Sequence, residues 1–289
     1  MDNKPKAITL MLISALAFSI MGAMVKLSGD IPLFEKVFYR NLVSLSMAYI
    51  MIKNTEVSFF GKKENQKYLL SRSLLGLLGV ILSFYAINYL ILSDANMLNK
   101  ISPFFVTLFA AIFLKEKISK IQIPVLIAVF IGALLIIKPQ FNFSVLPSLS
   151  GFLSAMCAGS SYTIIRFLRD REEASTIVFY FSFVSVVVIF PLMMISYQKP
   201  TLIQLMYLIG IGIFAGIGQL ALTSAYRYAP AAEVSIYDYT SIVFSAIIGF
   251  IVWSEVPDGL SIMGTMIIIA AAIFMYIYNE KRIFKKIIR

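Results

Sequence analysis

The 289-residue chain has no histidine, a single cysteine and a single tryptophan, and only 14% of its residues are charged. Without histidine it lacks the commonest general base and the commonest neutral metal ligand. A lone cysteine, Cys157, rules out an internal disulfide. No Gly-x-x-x-x-Gly-Lys-Ser/Thr loop is present to cradle nucleotide phosphates, and there is neither a His-Glu-x-x-His motif nor a cluster with metal-ligand spacing. The repeated arginine spacing of a voltage sensor and a potassium-filter signature are also missing. Long polar segments are scarce: the longest runs from Lys53 to Lys67, too short for a soluble domain. These absences speak against ATP-driven pumping, histidine-based catalysis and metal chemistry. The expectation is a protein that is not an enzyme and carries no cofactor.

What the chain has instead is apolar sequence, 60% of all residues. A hydrocarbon layer of about 30 Å is crossed by roughly 20 apolar residues in a helix. On that measure ten spans follow one another, at approximately 7–27, 33–52, 68–91, 95–114, 119–138, 147–168, 175–197, 202–226, 231–253 and 258–278. Apolar helix runs straight through Ala15-Leu-Ala17, so that segment reads as an uncleaved first span rather than a signal-peptidase site. The predicted fold class is an all-α integral membrane protein.

The net charge of +10 does not indicate nucleic acid, because the basic residues form no stripe with stacking aromatics. Their distribution follows the positive-inside rule. With the N-terminus in the cytoplasm, Lys26, Lys36, Arg40, Lys100, Lys138 and Lys199 fall on the outer side; the other nineteen of the 25 Lys and Arg, Arg72 among them, fall at or near cytoplasmic ends. An even number of spans returns the C-terminus to the cytoplasm.

The two halves resemble each other in register. Segment 86–136 aligns without gaps on 225–275, which sets Tyr89 on Tyr228, Asp94 on Glu233, Asn99 on Asp238, Ser102 on Ser241 and Glu116 on Glu255. Earlier parts match one residue further on, with Lys26 on Arg166. Such a repeat holds five spans, in residues 1–140 and 141–289. Five is odd, so the second copy enters the membrane from the opposite side. Inverted repeats of this kind are a secondary-transporter architecture, with the substrate site near the midplane between the halves.

Ionisable groups at membrane depth face a bundle interior or a wet cavity. Arg40 lies about seven residues into span two, roughly 10 Å deep at 1.5 Å per residue. Lys100 sits in span four and Asp238 in span nine. Helical spacing places Lys36, Arg40 and Ser44 on one face, Asn96 and Asn99 or Lys100 on another, and Ser235, Asp238 and Ser245 on a third. Arg40 and Lys100 suit a carboxylate or phosphate, and Asp238 an amine or a coupled proton. Equally, Arg40 can pair with Asp94 or Glu35, and the central charges can neutralise one another. Gln219 and one of Tyr237 and Tyr239, which point to different sides of their helix, would supply hydrogen bonds. Lys26, Glu116, Glu255 and Arg166 read as anchors or caps at span ends. Gly212-x-x-x-Gly216 reads as a close-packing face.

Several stretches carry a family resemblance: Phe38-Tyr-Arg-Asn-Leu42, Gly76 through Phe84-Tyr-Ala86, Leu98-Asn-Lys-Ile-Ser-Pro-Phe104, Phe113-Leu-Lys-Glu116, Ala225-Tyr-Arg-Tyr-Ala-Pro230 and the closing Glu255. In this order the chain resembles the drug/metabolite transporter superfamily, specifically its EamA-type ten-helix members. The resemblance implies a central cavity shared by both halves and alternating access by rocking helix groups. Small multidrug relatives use a membrane-centred Glu in the first span; here Ser14 and Ser19 stand there instead. Ile242 stands where the first half has Pro103, so the halves need not bend alike.

The expectation is a secondary active transporter or exchanger for a small polar metabolite, amino-acid-like or nucleoside/nucleotide-like. It would sit in a bacterial cytoplasmic membrane with both termini cytoplasmic. Its partners would be the substrate and the lipid bilayer, with no nucleic acid; a coupled proton or counter-substrate, and a second copy of the chain, stand as further partners. The alternatives are a multidrug or lipid-carrier flippase and a non-transporting membrane sensor.

Overall fold

A computed structural model describes residues 4–53, 57–113, 122–137, 145–168, 171–228 and 237–287. Glu116, Lys138 and Glu233 lie outside the described residues. The helices are α1 (Lys4–Leu27), α2 (Leu33–Lys53), α3 (Gln66–Tyr89), α4 (Leu92–Asn99), α5 (Ser102–Phe113), α6 (Gln122–Ile137), α7 (Leu146–Leu168), α8 (Ala174–Ile195), α9 (Leu202–Tyr228), α10 (Thr240–Trp253) and α11 (Gly259–Ile287), with a short 3-10 turn at Lys63–Asn65. No strand occurs among the described residues. Four helical stretches, Pro5–Leu27, Lys63–Tyr89, Ala174–Ile195 and Leu202–Ala225, are long and apolar enough to cross a membrane.

The distribution of polarity is inside out. Ile195, Leu202 and Ile251 are 84%, 75% and 73% exposed, whereas Lys36, Arg40 and Arg72 are 0%, 3% and 2% exposed. Water would penalise so much open apolar surface. Hydrocarbon does not, and it drives the charged groups inward instead.

The expected span four is not one helix. Helix α4 stops at Asn99, the chain turns at Lys100 and Ile101, and α5 starts at Ser102. Proline gives no backbone N–H, and inside a helix it disrupts the turn before it; Pro103 falls where a continuous helix would need its N–H to reach Asn99. The second half is interrupted too, at Tyr239, in spite of Ile242. There the backbone keeps near-helical angles (φ −65, ψ −18) and the hydrogen bonding tightens, with Ile242 N donating to Tyr239 O at 3.0 Å.

Packing follows a simple scheme. Helix α1 lies against α9 and α10, α2 against α8 and α9, and α3 against α7 and α8; α4 and α5 both meet α7, α4 also meets α10, and α6 lies against α11. Hydroxyls join several of these contacts. Ser14 Oγ donates to Gly218 O at 2.9 Å, Ser19 Oγ to Ser241 O at 3.1 Å, and Ser44 Oγ to Gly212 O at 3.2 Å. The serines that stand in the middle of α1 therefore fasten it to α9 and α10. Each such bond is worth about 0.6 kcal/mol in a membrane setting.

Glycines set the approach of α9 to its neighbours. A Cβ at Gly212 would press on the Val43 side chain and sit 3.0 Å from Tyr39 O, and one at Gly216 would press on Met47. Both face α2, which puts the Gly212-x-x-x-Gly216 pair at a tight helix crossing. Overpacking a fitted contact costs about 1–3 kcal/mol, so Gly212→Ala should lower the thermal midpoint of the detergent-solubilised protein. A wild-type midpoint would mean that α2 and α9 separate there without cost.

Candidate functional site

The break between α4 and α5 presents Lys100 to the bundle interior. Its N–H still donates to Asn96 O at 3.1 Å, but the turn ends the helix and frees the side chain to cross toward the second half. There Lys100 Nζ donates to Asp238 Oδ2 at 2.6 Å. Asp238 directly precedes the interruption at Tyr239, so both partners stand at breaks in their helices. The two side chains are 6% and 12% exposed. Short charge-assisted bonds of this kind are the strong ones, and removing one partner leaves an uncompensated buried charge. Asp238 Oδ1 has no hydrogen-bond partner, so one edge of the carboxylate stays available.

A second polar centre joins α2, α3, α7 and α8. Arg40 of α2 and Arg72 of α3 both lie over the Phe181 ring of α8, with their guanidinium carbons 5.3 Å and 4.0 Å from its centroid. Arg40 Nη1 donates to Asn41 Oδ1 at 2.6 Å. Neither arginine meets a carboxylate among the described residues. Arg40 Nε and Arg72 Nε and Nη1 are buried without acceptors, and the Ser182 and Ser185 hydroxyls are buried without partners. From α7, Ser161 Oγ donates to Arg72 O at 3.3 Å. Gly76 makes room for this arrangement: a Cβ there would stand 3.0 Å from Phe181 Cε2 and 3.4 Å from Arg72 Nη1.

The remaining expected site residues are spread out. Asn96 Nδ2 turns back to Leu92 O at 2.9 Å on its own helix, and Asn99 Nδ2 reaches Ser154 Oγ on α7 at 3.2 Å. Gln219 Nε2 lies 3.4 Å from Thr223 Oγ1, one turn along α9. Tyr237 packs with Ala7, Met11 and Ala225, whereas Tyr239 packs with Met97, Leu98 and Ile101. Arg40 pairs with neither Asp94 nor Glu35: Asp94 Oδ2 accepts from Ser261 Oγ, and Glu35 Oε2 accepts from Gln198 N.

Arg72, expected at or near a cytoplasmic end, is buried. It stands six residues into α3, and that depth was the signal available for it. Phe181 carried no sequence signal among 24 phenylalanines. Lys26 and Glu255 do more than anchor span ends, because they form an ion pair. Glu255 Oε2 also accepts from Leu92 N at 3.0 Å, and Lys26 Nζ donates to Leu90 O at 3.1 Å, so one carboxylate ties α1, α10 and the α3–α4 junction together. The chain reaches this position through Ser254, whose left-handed φ of 55 turns it sharply at the end of α10. Among the described residues no three His, Cys, Asp or Glu side chains gather as metal ligands.

A double-mutant cycle on the central pair has a clear expected outcome. Lys100→Met or Asp238→Asn alone should cost about 3–5 kcal/mol, because each strands a buried charge, whereas the double variant should recover most of that loss. Thermal unfolding reads all three. Additive losses would mean that the two side chains do not interact.

A model of the EamA-like transporter family matches residues 5–138 and again residues 146–277. The pseudopaline exporter CntI of Pseudomonas aeruginosa (strain UCBPP-PA14) is 36% identical over 277 residues, covering 94% of this chain and 96% of that protein. The S-adenosylmethionine uptake transporter of Rickettsia bellii is 27% identical over 258 residues, covering 88% of this chain and 85% of that protein. Solute carrier family 35 member G1 of Homo sapiens is 27% identical over 276 residues, covering 90% and 76%. One crystal structure shares the fold with a TM-score of 0.70 at 14% identity, covering 93% of this chain and 96% of that one. With its apolar helices, its interior charges and a family match on both halves, the chain is a multi-pass membrane protein and belongs to the EamA-like transporter family.

Proposed function

We propose that this protein is a secondary active transporter or exchanger. It moves a small polar metabolite, amino-acid-like or nucleoside/nucleotide-like, by alternating access between two inverted halves of five spans each, residues 1–140 and 141–289. The observation that carries this reading is the buried Lys100–Asp238 pair, which joins the halves at matching helix breaks. Broken helices at the midplane are where transporters of inverted-repeat design hold substrate.

The packing scheme supports the same reading. Exchange the first five spans for the second five, so that α1 corresponds to α7, α2 to α8, α3 to α9, α4 with α5 to α10, and α6 to α11. The α1–α9 contact then becomes α7–α3, α2–α9 becomes α8–α3, and α1–α10 becomes α7 with α4 and α5. The α2–α8, α4–α10 and α6–α11 contacts map onto themselves. Such exchange is the behaviour of two halves related by a pseudo-two-fold axis.

The mechanism follows from the charges. Lys100 and Asp238 neutralise each other, which lowers the cost of holding them away from water. A substrate with an amine and an acid can replace that contact, its amine on Asp238 and its acid on Lys100. A proton on Asp238, or a counter-substrate, would supply the coupling. Relatives named for pseudopaline export and S-adenosylmethionine uptake are consistent with a metabolite cargo moved in either direction.

Proteoliposome flux tests the proposal. Radiolabelled S-adenosylmethionine, amino acids and nucleotides serve as probes, each with and without unlabelled solute trapped inside. Trans-stimulated uptake of at least one probe is expected, reduced more than tenfold in correctly folded Asp238→Asn and Lys100→Met. Absence of flux across the panel, or equal uptake by both variants, would refute the assignment.

A further inference from the structure

Buried cations in this protein fall into two kinds. Lys36 is wholly buried yet saturated: its Nζ donates to Val25 O at 3.2 Å, Gly29 O at 2.9 Å and Asn88 Oδ1 at 3.0 Å. That is how a structural cation is held. Arg40 and Arg72, at 3% and 2% exposure, are different, for three of their guanidinium nitrogens have no acceptor. A guanidinium does not shed its proton, so these charges persist in the interior. Since Lys100 and Asp238 cancel each other, Arg40 and Arg72 leave about two positive charges without a carboxylate partner among the described residues.

We propose that Arg40, Arg72 and Phe181 form a subsite for a doubly charged oxyanion, a dicarboxylate or a phosphomonoester, carried by a water-soluble solute. The inference rests on the transport reading and deepens it by naming the charge of the cargo. Planar guanidinium forks match carboxylate and phosphate oxygens two at a time. The Phe181 ring lies beside both cations, but an aromatic face accepts no in-plane hydrogen bond, so the orphan nitrogens keep their donors for an anion. Ser185 stands one turn beyond Phe181 on the same face of α8, and its partnerless hydroxyl adds a neutral donor. A cation is repelled from this region, and a single carboxylate leaves one guanidinium uncompensated.

Thermal-shift titration of the purified protein in neutral detergent, at constant ionic strength, tests the subsite. Succinate or inorganic phosphate should raise the unfolding midpoint saturably, whereas choline and chloride should not. Arg72→Gln and Arg40→Gln should each weaken that response at least tenfold while leaving the ligand-free midpoint equal to wild type or above it, since each removes an uncompensated buried charge. Ser185→Ala keeps both charges and should weaken the response by about threefold, which covers the case of an arginine variant that does not fold. Absence of a shift with either dianion, an undiminished shift in Arg72→Gln, or a shift obtained only with phosphatidylglycerol would overturn the proposal. Flux separates it from the transport reading. Dianion binding without flux removes transport and leaves the subsite, and flux indifferent to Arg72→Gln and Arg40→Gln does the reverse.

Discussion

A charge surrounded by hydrocarbon has no water to solvate it, so the protein must answer every interior ionic group itself or leave it for a ligand. That constraint organises this bundle. Lys36 is answered by carbonyls, Lys26 by Glu255 and a carbonyl, and Lys100 by Asp238. Arg40 and Arg72 receive one amide oxygen and the face of Phe181 between them. Satisfied cations hold helices together, and the underserved ones form the subsite proposed for a solute. Lys100 and Asp238 both stand at helix breaks, where the chain turns and the two side chains meet.

The rest of the packing is built from many small contacts. Interhelical hydroxyl bonds from Ser14, Ser19 and Ser44 each contribute little, and small residues on α9 bring backbones close without large interlocking side chains. Lipid gives no hydrophobic drive for helices to associate, so such contacts are near balance. The Glu255 knot at one end and Glu172 at another, where it accepts from Lys62 N and Asn65 Nδ2 at 2.8 Å and 2.7 Å, are discrete ties between neighbouring segments. Discrete ties of this sort suit the rocking motion proposed for the halves.

Much of the architecture was readable from hydropathy, because bilayer thickness forces apolar runs of similar length. The break after Asn99 also had a signal in Pro103, since proline offers no N–H at that position. The interruption at Tyr239 had none, since Ile242 stands where the first half has Pro103. Burial of Lys100 and Asp238 followed from depth, but their pairing needed the packing of α4 on α10, which periodicity does not report. The burial of Arg72 was not read from the sequence, because charge counting assigns a side of the membrane and not a depth. Phe181 is chemically like its many neighbours, and only two cations over one ring single it out. Family membership rests on the order of weak motifs, each ambiguous alone, across both halves.

The central claim is that the polar interior is an aqueous path opened to each side in turn. Because Cys157 is the only cysteine and is buried, it can be replaced by serine and a single reporter cysteine placed at Ser185, beside Phe181. Labelling by a membrane-impermeant thiosulfonate from each face of oriented vesicles is the most direct measurement. The account predicts modification from both faces, slowed by transported solute. A reporter inert from both faces, or one modified only by lipid-soluble reagents, would contradict it.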